Sequence, residues 1–295
     1  MMQADLSDTL LPGGWIDHQG RVQRQARLRP VTGYAERLIA ASAHLSTPAR
    51  TTRLLAAAVA AIGDHDRVSE DDVRSLLVAD RQQLVRTLRR VTFGPEVRAV
   101  LGCSWPDCGE MMDIDFSLDL LALTEAPQTG LFHTVRLAEA TGGLVVTFRL
   151  PNGGDQEALS DLVEEDEEQA ADLLLTRCLQ SIADATGTAL PPPLQFDPPT
   201  RAEIEAAMAS RAPRFDLTLA ARCPECDRPV TAAFDLERFF CDELHAQQDL
   251  LLHEVHYLAL HYHWSEREIL SMPRENRRRY LDILASHLET AYDAR

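Results

Sequence analysis

Two short cysteine pairs, CSWPDC at Cys103 and Cys108 and CPEC at Cys223 and Cys226, restrict what this chain can fold into more than any other feature. A tetrahedral thiolate site takes four ligands, so neither pair can complete one alone. The sequences around them share a layout. A phenylalanine stands eight residues after the second cysteine of each pair, at Phe116 and Phe234. The residues between alternate in character, with Met112, Ile114 and Phe116 in one copy and Val230, Ala232 and Phe234 in the other, the pattern of a half-buried strand. Each copy then reaches a residue suited to start a helix, Ser117 or Asp235.

Two half-sites of one design imply one shared site. Cys103, Cys108, Cys223 and Cys226 are expected to hold one structural zinc per chain, joining segments whose nearer cysteines lie 115 residues apart. A closed four-cysteine shell leaves no position for water, so hydrolytic chemistry at this metal is not expected. Cys178 and Cys241 sit on helical apolar patterns and are expected to be core thiols.

The 295 residues are 45% apolar and 25% charged, within globular limits. The start shows no secretory signal and no apolar run reaches the length of a membrane span, so a cytosolic protein is expected. In that setting six cysteines point to metal or buried thiols rather than a disulfide framework. The net charge of −17 opposes binding to a phosphate backbone. Acid is densest in EEDEE, Glu164 to Glu168, read as a solvated helix face.

Along the chain, residues 1–33 read as an N-terminal arm or hairpin punctuated by glycine and proline, and 34–100 as a helical region. Within it Ser69 and Asp80 are expected N-caps, with Asp72 and Gln83 three residues on. Residues 101–124 form the first knuckle and 222–240 the second. Between them, 125–221 reads as an inserted small α/β subdomain with a strand at LVVTFRL, one helical stretch from EALSD to LQSI, and a linker PPPLQFDPPT that excludes regular structure. The C-terminal helical region, 241–295, holds a leucine-rich helix expected to be buried on more than one side. There Ser265 and Glu268 form a capping box, with a staple from Trp264 to Ile269. The expected fold is therefore α+β, mainly α-helical, with two cysteine-knuckle β-hairpins sharing one zinc site and a small α/β insertion between them.

Several sharper motifs fail on spacing. HEVH at 253–256 places its histidines three apart rather than the four a metallopeptidase helix needs. His245, His253, His256, His261 and His263 are instead expected to line a buried helix. No phosphate-binding glycine loop or nucleophile elbow occurs, and an enzyme is not indicated. The dense basic patch RENRRRY, with Arg274, Arg277, Arg278 and Arg279, is the expected partner surface, since guanidinium suits a partly desolvated contact with carboxylates.

Taken in order, RPVTGYAERL, DRQQLVRTLRRVTFG, LGCSWPDCGE, TFRLPNGGD, RCPECDRP and LLHEVHYLALHYHWSEREILSMPRENRRRYLDIL resemble the T-even phage baseplate protein family, the hub assembly chaperones and hub components of contractile tails. The resemblance runs from about Gly14 to Leu288 and is densest in the C-terminal block. It implies a non-enzymatic part of a contractile phage tail or phage-derived injection system, with baseplate hub, spike or wedge proteins as partners, and its paired-cysteine blocks fall on Cys103, Cys108, Cys223 and Cys226. The competing class is a zinc-ribbon nucleic-acid-binding or regulatory protein. Asp113, Asp115 and Asp235 after the cysteines argue against it, because a phosphate-facing ribbon needs the opposite charge.

Overall fold

The computed structural model describes residues 6–191 and 196–293, with side chains as far as 290. The chain opens as an antiparallel hairpin, β1 (Ser7–Ile16) and β2 (Val22–Leu28), whose turn is closed by the Asp17 carboxylate accepting from the amides of Gln19 and Arg21 at 2.8 and 2.9 Å. Helices α1 (Gly33–Ala41) and α2 (Thr47–Ala58) follow, and α2 runs directly into β3 (Val59–Ile62), the third strand of the hairpin's sheet. The VAAI segment thus leaves the helical pattern expected for it. All four of its residues are buried, and β-branched ends on a fully covered strand suit that place. Next come α3 (Glu70–Ser75), capped by the expected Ser69–Asp72 box, and α4 (Val78–Phe93).

Two hairpins and an insertion complete the middle of the chain. Strands β4 (Glu96–Gly102) and β5 (Met111–Ser117) form the first hairpin and lead to β6 (Leu123–Thr124). The inserted segment holds β7 (His133–Arg136), β8 (Val145–Phe148), α5 (Gly153–Glu165), α6 (Glu167–Cys178), β9 (Leu179–Ala183), β10 (Ala189–Leu190) and α7 (Pro198–Arg211). Its sheet, in the order β10-β9-β8-β7, and helices α6 and α7 share a core of their own built on Val146, Phe148, Leu175, Ile182 and Ile204. The segment is closed at its base where β11 (Arg214–Phe215) pairs antiparallel with β6. The second hairpin is β12 (Thr218–Arg222) and β13 (Pro229–Ala233), and the chain ends in α8 (Leu236–Ala246), α9 (Gln248–Tyr262), α10 (Glu266–Ser271) and α11 (Arg274–Asp293). The architecture is mixed α+β, with the main core between the N-terminal sheet and α1, α2, α4 and α8.

Local expectations depart from the structure in three further places. The EEDEE run is exposed as expected but is a junction: Asp166 ends α5 and caps α6 by accepting from the Gln169 amide, and LQSI is strand β9. In the proline-rich linker, 192–195 lie outside the described residues, while Pro198 and Pro199 sit in the first turn of α7, where their missing N–H costs nothing, behind Asp197 as N-cap. Asp80 is not an N-cap. It lies inside the first turn of α4, fully buried, where Oδ1 accepts from the Gly13 amide at 2.7 Å and Oδ2 has no hydrogen-bond partner. Any side chain at residue 13 would meet that carboxyl and Leu77, so glycine alone fits there.

Burial pushes the Asp80 carboxyl up to about 6. With the folded value above the unfolded one of about 3.9, its favourable contribution is complete at low pH and is lost as pH rises through about 6. Asp80→Asn, which keeps the acceptor for Gly13, is therefore expected to stabilise the fold by roughly 3 kcal/mol at pH 8 and by about 0.5 kcal/mol at pH 4. Urea unfolding of both proteins at the two pH values checks this.

Candidate functional site

The two hairpins bring all four paired cysteines together. Their sulfur atoms all lie within 4.8 Å of one another, and all are free thiols. Two separations cross between the hairpins, Cys103 to Cys226 at 3.8 Å and Cys108 to Cys223 at 3.7 Å. A metal with thiolate bonds of about 2.3 Å sets tetrahedral sulfur–sulfur edges of about 3.8 Å, so these two edges already have the spacing a zinc ion requires. Met112 and Val230, four residues after the second cysteine in each copy, pack beneath the cluster.

The halves are built alike. The residue after the second cysteine adopts a left-handed backbone in both, Gly109 at φ 69° and Asp227 at φ 55°, and the first cysteine's amide donates to the carbonyl two residues beyond the second, Cys103 to Glu110 at 2.8 Å and Cys223 to Arg228 at 3.0 Å. The amides of Glu110 and Arg228 in turn donate to the sulfurs of Cys108 and Cys226, and that of Trp105 to Cys103. Such donors lower the cost of thiolate charge. The sulfurs nevertheless compete for protons. The Arg228 amide, with the guanidinium of the same residue, draws Cys226 down to about 6. At Cys108 the Glu110 amide also favours the thiolate, but burial and hydrogen bonding among the crowded sulfurs outweigh it and push that thiol up to about 12. A divalent metal resolves this competition by deprotonating all four.

The looser C-x(4)-C half has a use for its extra residues. Trp105 reaches across to the other hairpin, donating Nε1–H to the Pro229 carbonyl at 3.0 Å, while the Arg228 guanidinium lies 4.6 Å over its ring and pairs with Asp107 at 2.8 Å. Sequence reasoning missed this clamp; its available signal was an aromatic and an acid inside one pair matched by an arginine two residues after the other. Below the site, Phe116 and Phe234 meet edge to face with centroids 5.1 Å apart. The other two cysteines are the expected core thiols, with burial pushing Cys178 up to about 11 and Cys241 to about 12.

Two of the four arginines expected at a partner surface are not on the surface. Arg277 is completely buried, donating to Glu36 at 2.6 Å, to Glu254 at 2.8 Å and to the Met272 carbonyl at 2.9 Å. Arg274, also buried, joins Glu36 and Gln247 and lies over the Phe93 ring. The helix period explains the split, because Arg274 and Arg277 share the inward face of α11 and Arg278 and Arg279 fall outside it. Glu254 of the HEVH motif is consumed by this network. The five histidines are exposed rather than buried, since α9 turns Leu251, Glu254 and Leu258 inward and leaves Leu250, Leu252 and Leu260 in solvent along with them. Trp264 stacks on Tyr262 at 4.7 Å and meets Tyr280 edge-on at 4.9 Å.

The sequence model of the family described as T4 bacteriophage base plate protein matches residues 18–241. That span takes in both cysteine pairs and most of the main core and stops before α9, so the C-terminal block where the resemblance is densest lies beyond it. The chain belongs to this family. No curated protein and no solved structure matches it.

Cutting one partner from a buried ion pair strands the other charge, at a cost of about 3–5 kcal/mol. Arg277→Ala is expected to lose an amount in that range, and Arg279→Ala, an exposed site, to stay within about 0.5 kcal/mol of the parent. Denaturant midpoints of the two variants, compared at equal slope, measure both.

Proposed function

We propose that this baseplate protein is a non-enzymatic hub component or hub assembly chaperone of a contractile phage tail or phage-derived injection system, holding one structural zinc on Cys103, Cys108, Cys223 and Cys226. The observation that carries the reading is the family match across both cysteine pairs together with the collection of their sulfurs into one tetrahedral-sized cluster. The metal's part is mechanical: bound by four thiolates it has no open position for substrate. The protein's own residues do the rest, with amides neutralising the sulfurs and the Trp105–Arg228–Asp107 clamp fixing one hairpin on the other. The nucleic-acid-binding alternative draws no support from the outer face of β5, where Asp113 and Asp115 are exposed.

Partners are hub, spike or wedge proteins, met in the cytoplasm while the baseplate is built. The contact surface proposed for them is the outer side of the C-terminal helices, where Arg278 lines one groove with Leu250 and Tyr257 and where Arg279 and Leu260 are also exposed.

Purified protein that has never met a chelator is expected to carry about one zinc per chain by metal analysis. Cys223→Ser should lose it and make both hairpins protease-sensitive together; damage confined to residues 222–236 would mean separate half-sites. For the assembly role, the double variant Arg278→Glu, Arg279→Glu should keep its circular dichroism yet fail to co-purify with co-expressed hub and spike proteins. Normal association would remove these arginines from the interface. Whether the chain is found in finished particles then separates a hub component from a chaperone.

A further inference from the structure

Helix α9 turns Leu251, Glu254 and Leu258 inward and packs on α1, α10 and α11. With about 100° of rotation per residue, the side diametrically opposite carries Asp249, Leu252, His256, Leu260 and, at the left-handed C-cap, His263. All five are exposed, and the two leucines by more than half, 60% and 57%. Single exposed leucines need no explanation. These two belong to a stripe with a symmetry of its own. Counted from His256, Leu252 and Leu260 lie four residues to either side, and Asp249 and His263 lie seven to either side.

That spacing is self-complementary. A two-fold axis through His256 and perpendicular to α9 lays Leu252 of one copy on Leu260 of the other, twice, and Asp249 on His263, twice. Leucine then meets leucine, and a carboxylate acceptor meets an imidazole donor. At the axis the two His256 rings face each other, and since a neutral imidazole carries one donor and one acceptor, such a pair can satisfy itself. Parallel pairing in register sets Asp249 on Asp249 instead, a like-charge contact. A face made for an unrelated protein has no need of the symmetric spacing.

We propose that this face of α9 is a two-fold, antiparallel contact between two copies of this chain, centred on His256. The Arg278 groove assigned to hub or spike proteins lies more than a quarter-turn round the same helix, at Leu250 and Tyr257, so the two contacts use different surfaces. The inference uses neither the metal nor the baseplate assignment. One helix from each copy supplies a seam about 21 Å long, less than the roughly 1,000 Å² that a permanent interface buries, so the dimer forms and separates readily, with a Kd of about 0.1 mM.

Sedimentation equilibrium of the full-length chain as purified, from about 10 µM to about 1 mM, measures the association, with the average mass expected to climb from one chain towards two. Leu252→Glu with Leu260→Glu should weaken it at least about tenfold while leaving the circular dichroism unchanged. Single cysteines test the register and keep the proposal exposed should that double variant misfold. Under mild oxidation His256→Cys is expected to link to itself, whereas Leu252→Cys and Leu260→Cys link only when the two variants are mixed. Peptide mapping locates each bond, and the parent chain gives the background from its own thiols. Efficient self-linking of Leu252→Cys would mean a parallel pair and overturn the proposal. So would a chain that stays monomeric across the whole range, which would leave this face to a different protein.

Discussion

Four sulfur atoms gather where two hairpins that share no sheet meet. β4–β5 and β12–β13 are each two-stranded, and the only buried residues between them besides Cys103 and Cys223 are Met112 and Val230. A pair of isolated hairpins with so little apolar contact is marginal in water. The remaining stabilisation has to come from the cluster itself, from the Trp105–Arg228 clamp above it, and from Phe116 against Phe234 below, where the hairpins join the main core. The insertion has one of its attachments at the same point. β5 runs on to β6 and β11 runs on to β12, so closing the sulfurs also closes the β6–β11 stem at the insertion's base. The insertion is held a second time at α5, where the Gly153 amide donates to the Leu76 carbonyl at 3.0 Å and Glu157 accepts from Arg74 at 2.9 Å, so both its stem and its first helix place it.

Elsewhere long-range joints are made by arginine. Arg81, Arg89, Arg274 and Arg277 are all buried, and each ties separate elements. Arg81 donates to Thr52 and to the Pro48 carbonyl and packs so tightly against the start of α5 that a side chain at Gly153 would overlap its guanidinium. Arg89 grips Glu243 of α8 with two bonds and the carbonyls of Gly94 and Glu96 with a third nitrogen, joining α4, α8 and the entry to β4. A chain whose 29 basic residues are all arginine can use this device repeatedly, since a planar five-donor fork satisfies several acceptors at once where an ammonium would meet fewer in fixed directions.

What the sequence made legible follows from how local each signal is. The cysteine half-sites, the Phe116 and Phe234 repeat, and the boxes at Ser69 and Ser265 are short-range patterns, and the structure keeps them where their spacing puts them. The failures share a cause. VAAI and LQSI follow helices without a break in apolar character, and only pairing with distant strands makes them β3 and β9. Asp80 has the composition of a cap, but its acceptor is used by an amide 67 residues away. The arginines of α11 read together as a partner surface because the carboxylates that bury two of them sit on α1 and α9. Charge pairing across the fold leaves no mark in a local window, whereas a repeated ligand spacing does.

The two kinds of joint also differ in what they fix. A metal bound there as proposed would tolerate rotation of each hairpin about its own sulfurs, a freedom that the Trp105 clamp would remove. The C-terminal helices are fastened instead by Arg277 set between Glu36 and Glu254, with Arg274 on the other oxygen of Glu36. Apolar side chains of equal volume would hold α11 as strongly, because burying the charges offsets much of their attraction. They would also accept a slide by one helical turn. Directional bonds from one guanidinium to two carboxylates do not, so the register of α11 against α1 and α9 is set by the ion network, and with it the direction in which Arg278, Arg279 and the exposed leucines of α9 face.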